Sequence, residues 1–152
     1  MKTLICLILI LAINTAVIKR LSDREISKLT TEDTVLSTLG KFRLYLRPNN
    51  CSLRIEKFNY NAAIYEPYED CVSNNYEGGP CTSLTIKNGK IITETGKIYS
   101  QLNGTSYAES ALILSDEGEV TLQAISVNPN NPNSDNEHLT ADSFVLKGNP
   151  VG

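Results

Sequence analysis

Few side chains in this sequence could carry out acid–base or metal chemistry. The single histidine, His138, follows an Asn- and Pro-rich stretch at 128–137, where nothing would position the partner that a general base needs. Four carboxylates lie near one another: Glu66, Glu69, Asp70 and Glu77. They lack the regular loop spacing of a calcium site, so a solvated acidic face is the simpler interpretation. The sequence contains no Ser-His-Asp set, glycine-rich phosphate loop or metal motif, and we expect neither catalysis, a metal nor a cofactor.

The aromatic residues of the segment 59–80 are better suited to binding. Four tyrosines lie there among acidic and small residues: Tyr60, Tyr65, Tyr68 and Tyr76. The composition predicts a long ordered loop that a disulfide ties down. Tyrosine rings can stack on sugars, or they can shield the backbone of such a loop. The residues themselves leave both interpretations open.

The N-terminal segment is typical of a secretory signal peptide. A short basic head precedes an apolar run, Leu4–Ile13, which is about ten residues long and well short of the roughly 20 that cross a bilayer. Small residues follow, and we expect cleavage after Ala16. The prediction is therefore a secreted, extracellular protein without a membrane span.

The cysteines and two glycosylation sequons agree with export. Removal of residues 1–16 would leave Cys51, Cys71 and Cys81, of which two should pair in an oxidising compartment. The residues alone leave three pairings open, each with one free thiol. The sequons begin at Asn50 and at Asn103, and they mark the two expected glycosylation sites. The net charge of −3, with scattered Lys and Arg, argues against nucleic acid as a partner.

Three alternating segments must provide the scaffold. Residues 42–55, 84–92 and 112–122 each alternate apolar and polar side chains on both sides of a turn, which predicts three β-hairpins. The second contains Asn88-Gly89, a strong signal for a two-residue hairpin turn. Since no single hairpin could bury its apolar face alone, the three should share one core.

The flanking segments are less regular. Residues 17–33 form an N-terminal extension in which Ile26, Leu29 and Asp33 allow a helical turn, although neighbouring threonines weaken it. Residues 126–152 form an Asn/Pro-rich tail with a candidate terminal strand at 143–147, which could dock on its own domain or on a neighbouring chain.

The hairpins resemble the repeats of the bulb-type (monocot mannose-binding) lectins. Gly40–Ile55 is similar to the first repeat of that family, Ser83–Ile92 to the second and Ala111–Leu122 to the third. The pairs Ile64-Tyr65 and Ile98-Tyr99 stand where the family usually has Ile-Trp. The match covers residues 34–125. It implies an all-β fold, a β-prism II of three four-stranded sheets. It also implies a Cys51–Cys81 disulfide and a homodimer formed by exchange of the C-terminal strand.

The resemblance also places a ligand-binding strip on the outward face of each hairpin. The family binds mannose through Gln-x-Asp-x-Asn-x-Val-x-Tyr, and none of the three repeats keeps that set. The polar residues that remain on the strip are the candidate ligand-binding residues: Asn50, Ser52, Asn88, Lys90, Glu117 and Glu119. We therefore expect a secreted lectin-like protein that binds a glycan or glycoprotein through a non-mannose site. The alternative is a secreted structural or interaction protein, such as an effector or matrix component, that uses the prism as a scaffold.

Overall fold

The computed structural model describes residues 17–71, 73, 76–103, 107–126 and 141–151, and all regular structure in these ranges is β. The expectation of an all-β chain is confirmed for this part of the protein. The signal-peptide prediction at 1–16, the sequon residues 104–105 and His138 lie outside the described residues. The strands are β1 Val17–Ile18, β2 Leu21–Ser22, β3 Lys28–Thr30, β4 Thr34–Leu36, β5 Phe42–Arg47, β6 Ser52–Asn59, β7 Ile64–Cys71, β8 Ser83–Lys87, β9 Lys90–Thr93, β10 Ile98–Gln101, β11 Tyr107–Leu114, β12 Val120–Ser126, β13 Ala141–Leu146 and β14 Gly148–Pro150.

The three predicted hairpins are present as β5–β6, β8–β9 and β11–β12, each antiparallel. Opposite residues in the register are apolar pairs on the buried face, such as Leu46 with Leu53 and Ile86 with Ile91. At the second turn Asn88 and Gly89 both have positive φ (49° and 73°), which is the backbone that a two-residue hairpin of matching twist requires.

Each hairpin is the centre of a separate sheet. Two sheets have the four strands that the resemblance implies, whereas the first has six, because β1 and β14 add to its two edges. The strand orders are β1-β4-β5-β6-β7-β14, β10-β9-β8-β3 and β13-β12-β11-β2. Every hairpin is therefore flanked by one strand from the N-terminal segment and by the strand that follows it in the chain. Neighbouring strands are antiparallel except β1 and β4, which run parallel.

The N-terminal segment forms strands, and the helical turn that the sequence allowed at 26–33 is absent. Leu21 lies opposite Leu112 and Leu29 lies opposite Leu84, and both N-terminal leucines are fully buried. Backbone pairing together with burial of these leucines outweighs the weak local preference for a helix.

The expectation of a loop over residues 59–80 is wrong for its first half. Residues 64–71 form β7, which pairs with β6 along its length, with one irregularity between Ile55 and Glu56. Most side chains of β7 are exposed or half-buried, and Pro67 interrupts the pattern. Because β7 buries so little surface, its sequence does not alternate between apolar and polar residues, and it gives no sign of a strand.

The C-terminal segment pairs within its own chain. β13 adds to β12 in register from Val120–Leu146 to Ile125–Ala141, and β14 adds to β7. Of the two predicted docking modes for residues 143–147, the structure contains the intramolecular one.

The three sheets enclose one hydrophobic core. Its largest fully buried side chains come from all three: Tyr99, Leu21, Leu29, Leu44, Leu46, Leu53, Ile55, Leu84, Ile86, Ile91, Leu112 and Leu122.

The hairpin turns link the sheets in a cycle. The first turn is joined to the start of the second repeat, where the Cys81 backbone N–H donates to the Pro48 carbonyl oxygen (3.1 Å). The second turn reaches the third repeat, since the Gly89 N–H donates to Ser110 Oγ (2.9 Å). The third turn returns to the region before β5, where the Leu39 N–H donates to Asp116 Oδ1 (3.0 Å). Each repeat thus positions the turn of another.

Candidate functional site

Ionic pairs occupy the outward face of the first hairpin. Arg54 makes two hydrogen bonds to Asp70 (2.5 and 3.0 Å), and Arg47 approaches the same carboxylate at 3.4 Å. The bond to Asp70 raises the pKa of Arg54 above its ordinary value. Arg43 Nε donates to Glu56 Oε1 (2.5 Å), and its guanidinium lies 4.3 Å from the centre of the Tyr65 ring. Arg54 and Glu56, which face outward on β6, are therefore each paired with a charged side chain of the protein itself.

The predicted ligand residues of the first turn also serve the fold. Asn50 Oδ1 accepts hydrogen bonds from the Ser52 backbone N–H (3.2 Å) and from the Ser52 hydroxyl (2.8 Å). Ser52 is fully buried, whereas Asn50 is exposed. The asparagine side chain caps its own turn, as short polar side chains do in an Asx turn.

The two ligand residues predicted at the second turn, Asn88 and Lys90, have different surroundings. The Asn88 side chain accepts a hydrogen bond from the Tyr107 backbone N–H (3.1 Å), and the Asn88 N–H donates to Asp23 (3.3 Å). Asn88 thus joins the second hairpin to the third repeat. Lys90 is exposed at the start of β9.

The third turn presents carboxylates to solvent. Glu117 and Glu119 are exposed, and their backbone N–H groups donate to Ser115 Oγ (3.3 and 3.1 Å). Asp116, which precedes Glu117, is held by the Ser37 hydroxyl and the Leu39 N–H, and these hydrogen bonds lower the pKa of its carboxyl group. The structure thus leaves Lys90, Glu117 and Glu119 as the exposed charged members of the predicted set, on the turns of two different sheets.

An aromatic groove lies between the β6–β7 turn and the third hairpin turn, and it contains two of the tyrosines, Tyr60 and Tyr68, that the sequence marked as possible sugar contacts. Two adjoining cavities of about 410 and 570 Å³ share the lining residues Lys57, Phe58, Tyr60 and Tyr68. We use "aromatic groove" for both cavities together. The smaller cavity extends to Asn59, Asn61, Glu66 and Pro67, and the larger one extends to Lys41, Phe42, Asp116 and Glu117.

The aromatic rings in and beside the groove pack against one another. Phe58 meets Tyr60 and Tyr65 edge-on, each at 5.0 Å between ring centres, and Phe42 lies 5.2 Å from Tyr68. Tyr60 is 69% exposed. The only sequence signal for this feature was the tyrosine content of 59–80, because Phe42 and the third turn are brought to it by tertiary contacts.

Tyr65 and Tyr99, which the resemblance aligns with tryptophans, have partners for their hydroxyl groups. Tyr99 is fully buried and donates to the Cys71 carbonyl oxygen (3.0 Å). Tyr65 is half-buried and donates to the Gly40 carbonyl oxygen (2.6 Å). Both rings therefore enter the protein without leaving a hydroxyl group unsatisfied.

The cysteine pairing is the one that the resemblance implies. Cys51 and Cys81 form a disulfide, and Cys71 is a buried thiol at the end of β7. Burial raises the pKa of Cys71 to about 12, which makes a reactive thiolate at neutral pH unfavourable.

The acidic residues of 66–77 do not form a metal centre. Asp70 is bound by arginines, and Glu66 Oε1 accepts a hydrogen bond from Asn59 (3.0 Å). Across the described ranges, no cluster of three or more His, Cys, Asp or Glu residues could hold a metal ion. The same ranges contain no helix with the length and hydrophobicity of a membrane span.

Comparison with known proteins assigns no family. No protein-family model matches the chain, and a search of curated proteins gives no match.

Proposed function

We propose that this chain is a secreted lectin-like protein, a three-repeat β-prism II domain that binds carbohydrate. One observation carries the proposal: three hairpin-centred sheets share one core, and each hairpin turn contacts a different repeat in a closed cycle. This arrangement is the one expected if the three repeats are related by a threefold axis. A threefold arrangement would present three turns at equivalent places, and several weak sites on one molecule can act together.

The contacts of the strip argue against the mannose-binding mode of the bulb lectins. Asn50, Ser52 and Asn88 have hydrogen bonds within the protein, and Arg54 and Glu56 are paired with other charges. A sugar would have to replace these bonds and would gain little net free energy. We therefore propose a non-mannose site that uses exposed groups, among which are Lys90, Glu117 and Glu119.

The same contacts favour a second candidate function. A prism whose polar strip is satisfied internally could serve as a scaffold for protein interaction outside the cell, without binding sugar. A glycan array distinguishes the two candidates, using full-length mature protein with the Cys51–Cys81 disulfide intact. Binding to a defined set of glycans supports the lectin proposal. An array on which no glycan gives a signal above background would rule that proposal out and favour the scaffold.

The proposal of secretion has its own test. The full chain, expressed in eukaryotic cells, should appear in the medium with Val17 as its first residue. Enzymatic removal of N-glycans should lower its mass, and Asn50→Gln and Asn103→Gln should each abolish one step of that change. A protein that stays inside the cell with residues 1–16 still attached would contradict secretion.

A homodimer formed by strand exchange is also a proposal. Residues 141–146 pair with β12 of their own chain, and an exchanged dimer would make the same pairs between two chains. Light scattering of the purified protein distinguishes monomer from dimer. Deletion of 141–152 should abolish a dimer that forms by this route.

A further inference from the structure

We infer that the aromatic groove, rather than the hairpin strip, is the primary carbohydrate site, and that its ligand is a neutral oligosaccharide. The inference rests on the proposed lectin-like function and specifies where and what the protein binds. The groove shares only Glu117 with the residues that the resemblance placed on the strip.

The size of the groove favours more than one sugar ring. Its two cavities, about 410 and 570 Å³, each lie in the range of small-molecule sites, and they share four lining residues. A ligand that filled one cavity could therefore continue into the other past Tyr60 and Phe58. A linear saccharide of two or three residues has this shape.

Tyr60 is held in place although it is exposed. Its ring packs edge-on against Phe58, the Phe58 ring also packs against Tyr65, and Tyr65 is anchored by its hydrogen bond to Gly40. The turn that carries Tyr60 is fixed as well, because Asn59 Oδ1 accepts hydrogen bonds from the Asn61 and Ala62 N–H groups (3.0 and 3.3 Å). A rigid, 69% exposed ring loses little conformational entropy when a flat ligand covers it.

The polar rim indicates that the ligand is uncharged. Lys41 and Lys57 contribute positive charge, whereas Glu66, Asp116 and Glu117 contribute negative charge. Three carboxylates would repel a sulfated or acidic glycan, and the two ammonium groups would repel a polycation. Mixed donors and acceptors around aromatic faces match the hydroxyl groups and the apolar ring faces of a neutral sugar.

The test measures binding of mannotriose, cellotriose and chitotriose, and of their monosaccharides, to the disulfide-intact chain by titration calorimetry. We expect one of the trisaccharides to bind about tenfold or more tightly than its monosaccharide, because it occupies both cavities. Tyr60→Ala should weaken that trisaccharide about tenfold or more, whereas Tyr60→Phe, which keeps the ring, should stay within about threefold of the native protein.

Two control variants locate the site. Ile64→Ala removes another exposed apolar side chain from the same hairpin, and Lys87→Ala removes an exposed lysine of the second hairpin that belongs neither to the groove nor to the strip; neither should change trisaccharide binding. Melting temperatures equal to that of the native protein establish that each variant is folded.

The outcomes separate the inference from the function on which it rests. If Lys90→Ala abolishes binding and Tyr60→Ala does not, the groove is not the site, although the lectin function stands. Binding of sulfated or acidic saccharides alone would also overturn the inference and leave the function. If the glycan array and all three neutral probes show no binding, both fail together.

Discussion

At the scale of single residues, two buried acids should make the protein sensitive to alkali. Burial raises the pKa of the Cys71 thiol from 9.0 to about 12 and raises the pKa of the Tyr99 hydroxyl group above its ordinary value. Between pH 9 and pH 12 the unfolded chain therefore binds fewer protons than the native protein, so the free energy of unfolding falls as pH rises. The contribution is complete below pH 9. We expect the urea midpoint to be constant from pH 7 to 9 and to fall steadily up to pH 11.

Cys71→Ala provides the matched control for this prediction. The variant lacks one of the two titrating groups but keeps Tyr99, so its midpoint should fall less steeply over the same pH interval. A native midpoint that stays level up to pH 11 would show that neither group is protected from ionisation by the fold.

The hydrogen bonds of Asp23 join three segments of the chain. Its carboxylate accepts bonds from the Ser110 hydroxyl (2.7 Å), the Ser110 N–H (3.1 Å) and the Asn88 N–H (3.3 Å). Asp23→Ala leaves these donors without their partner and should lower the free energy of unfolding by about 2–3 kcal/mol. Glu25→Ala, an exposed carboxylate in the same turn, should change it by less than about 0.5 kcal/mol in urea denaturation.

The candidate ligand residues came from the family resemblance rather than from residue types alone. The resemblance selected polar residues at hairpin turns, and the structure does place Asn50, Asn88 and Glu117 there. It could not reveal that Asn50 caps its own turn or that Asn88 binds Tyr107, since these contacts depend on backbone geometry and on distant segments. The sequence marked Tyr60 and Tyr68 as possible sugar contacts, but the groove that they line also depends on Phe42 and the third turn, which are distant in sequence.

At the scale of elements, the alternation of apolar and polar residues predicted the strands that bury one face. It missed strands that are largely exposed or very short. The three hairpins were found because Leu44, Leu46, Ile86 and Leu112 recur at every second position and face the core. β7 was missed because it is largely exposed, and β2 and β3 because strands of two or three residues are too short to show a period.

Alanine substitution at Gly118, in the third hairpin turn, shows how closely this turn packs against Phe42. Gly118 and Gly96 have nearly equal positive φ (84° and 85°), but a Cβ on Gly118 would lie 2.8 Å from the Phe42 ring, whereas one on Gly96 would meet nothing. Gly96→Ala should cost about 1–2 kcal/mol for backbone strain alone. Gly118→Ala should cost about 1–3 kcal/mol more, because it also forces the rings of the aromatic groove apart.

Chemical denaturation of the two glycine variants measures this difference. Equal losses would mean that the third turn does not press on Phe42 as the structure describes. A larger loss in Gly118→Ala, accompanied by weaker trisaccharide binding, would connect the packing of this turn to the shape of the groove.

At the scale of the whole molecule, the N-terminal segment connects the three sheets. β2 lies at the edge of the sheet of the third hairpin, β3 at the edge of the second, and β4 beside β5 in the first. These strands succeed one another within residues 21–36, so a short stretch of chain crosses from sheet to sheet. The repeats therefore cannot unfold independently without breaking this stretch, and a single cooperative transition is expected.

Leucine substitutions in this segment decide whether it is part of the domain or an appendage to it. Leu21 and Leu29 are fully buried against different sheets, whereas Ile26 between them is 51% exposed. Leu21→Ala and Leu29→Ala should each lower the free energy of unfolding by about 2–5 kcal/mol, and Ile26→Ala by less than about 0.5 kcal/mol. Each variant should still unfold in one transition when fluorescence and circular dichroism are compared. If both leucine variants behaved like Ile26→Ala, residues 34–126 would form the domain without the N-terminal strands, and the sheets would have to be held together by the hairpin turns and their shared core alone.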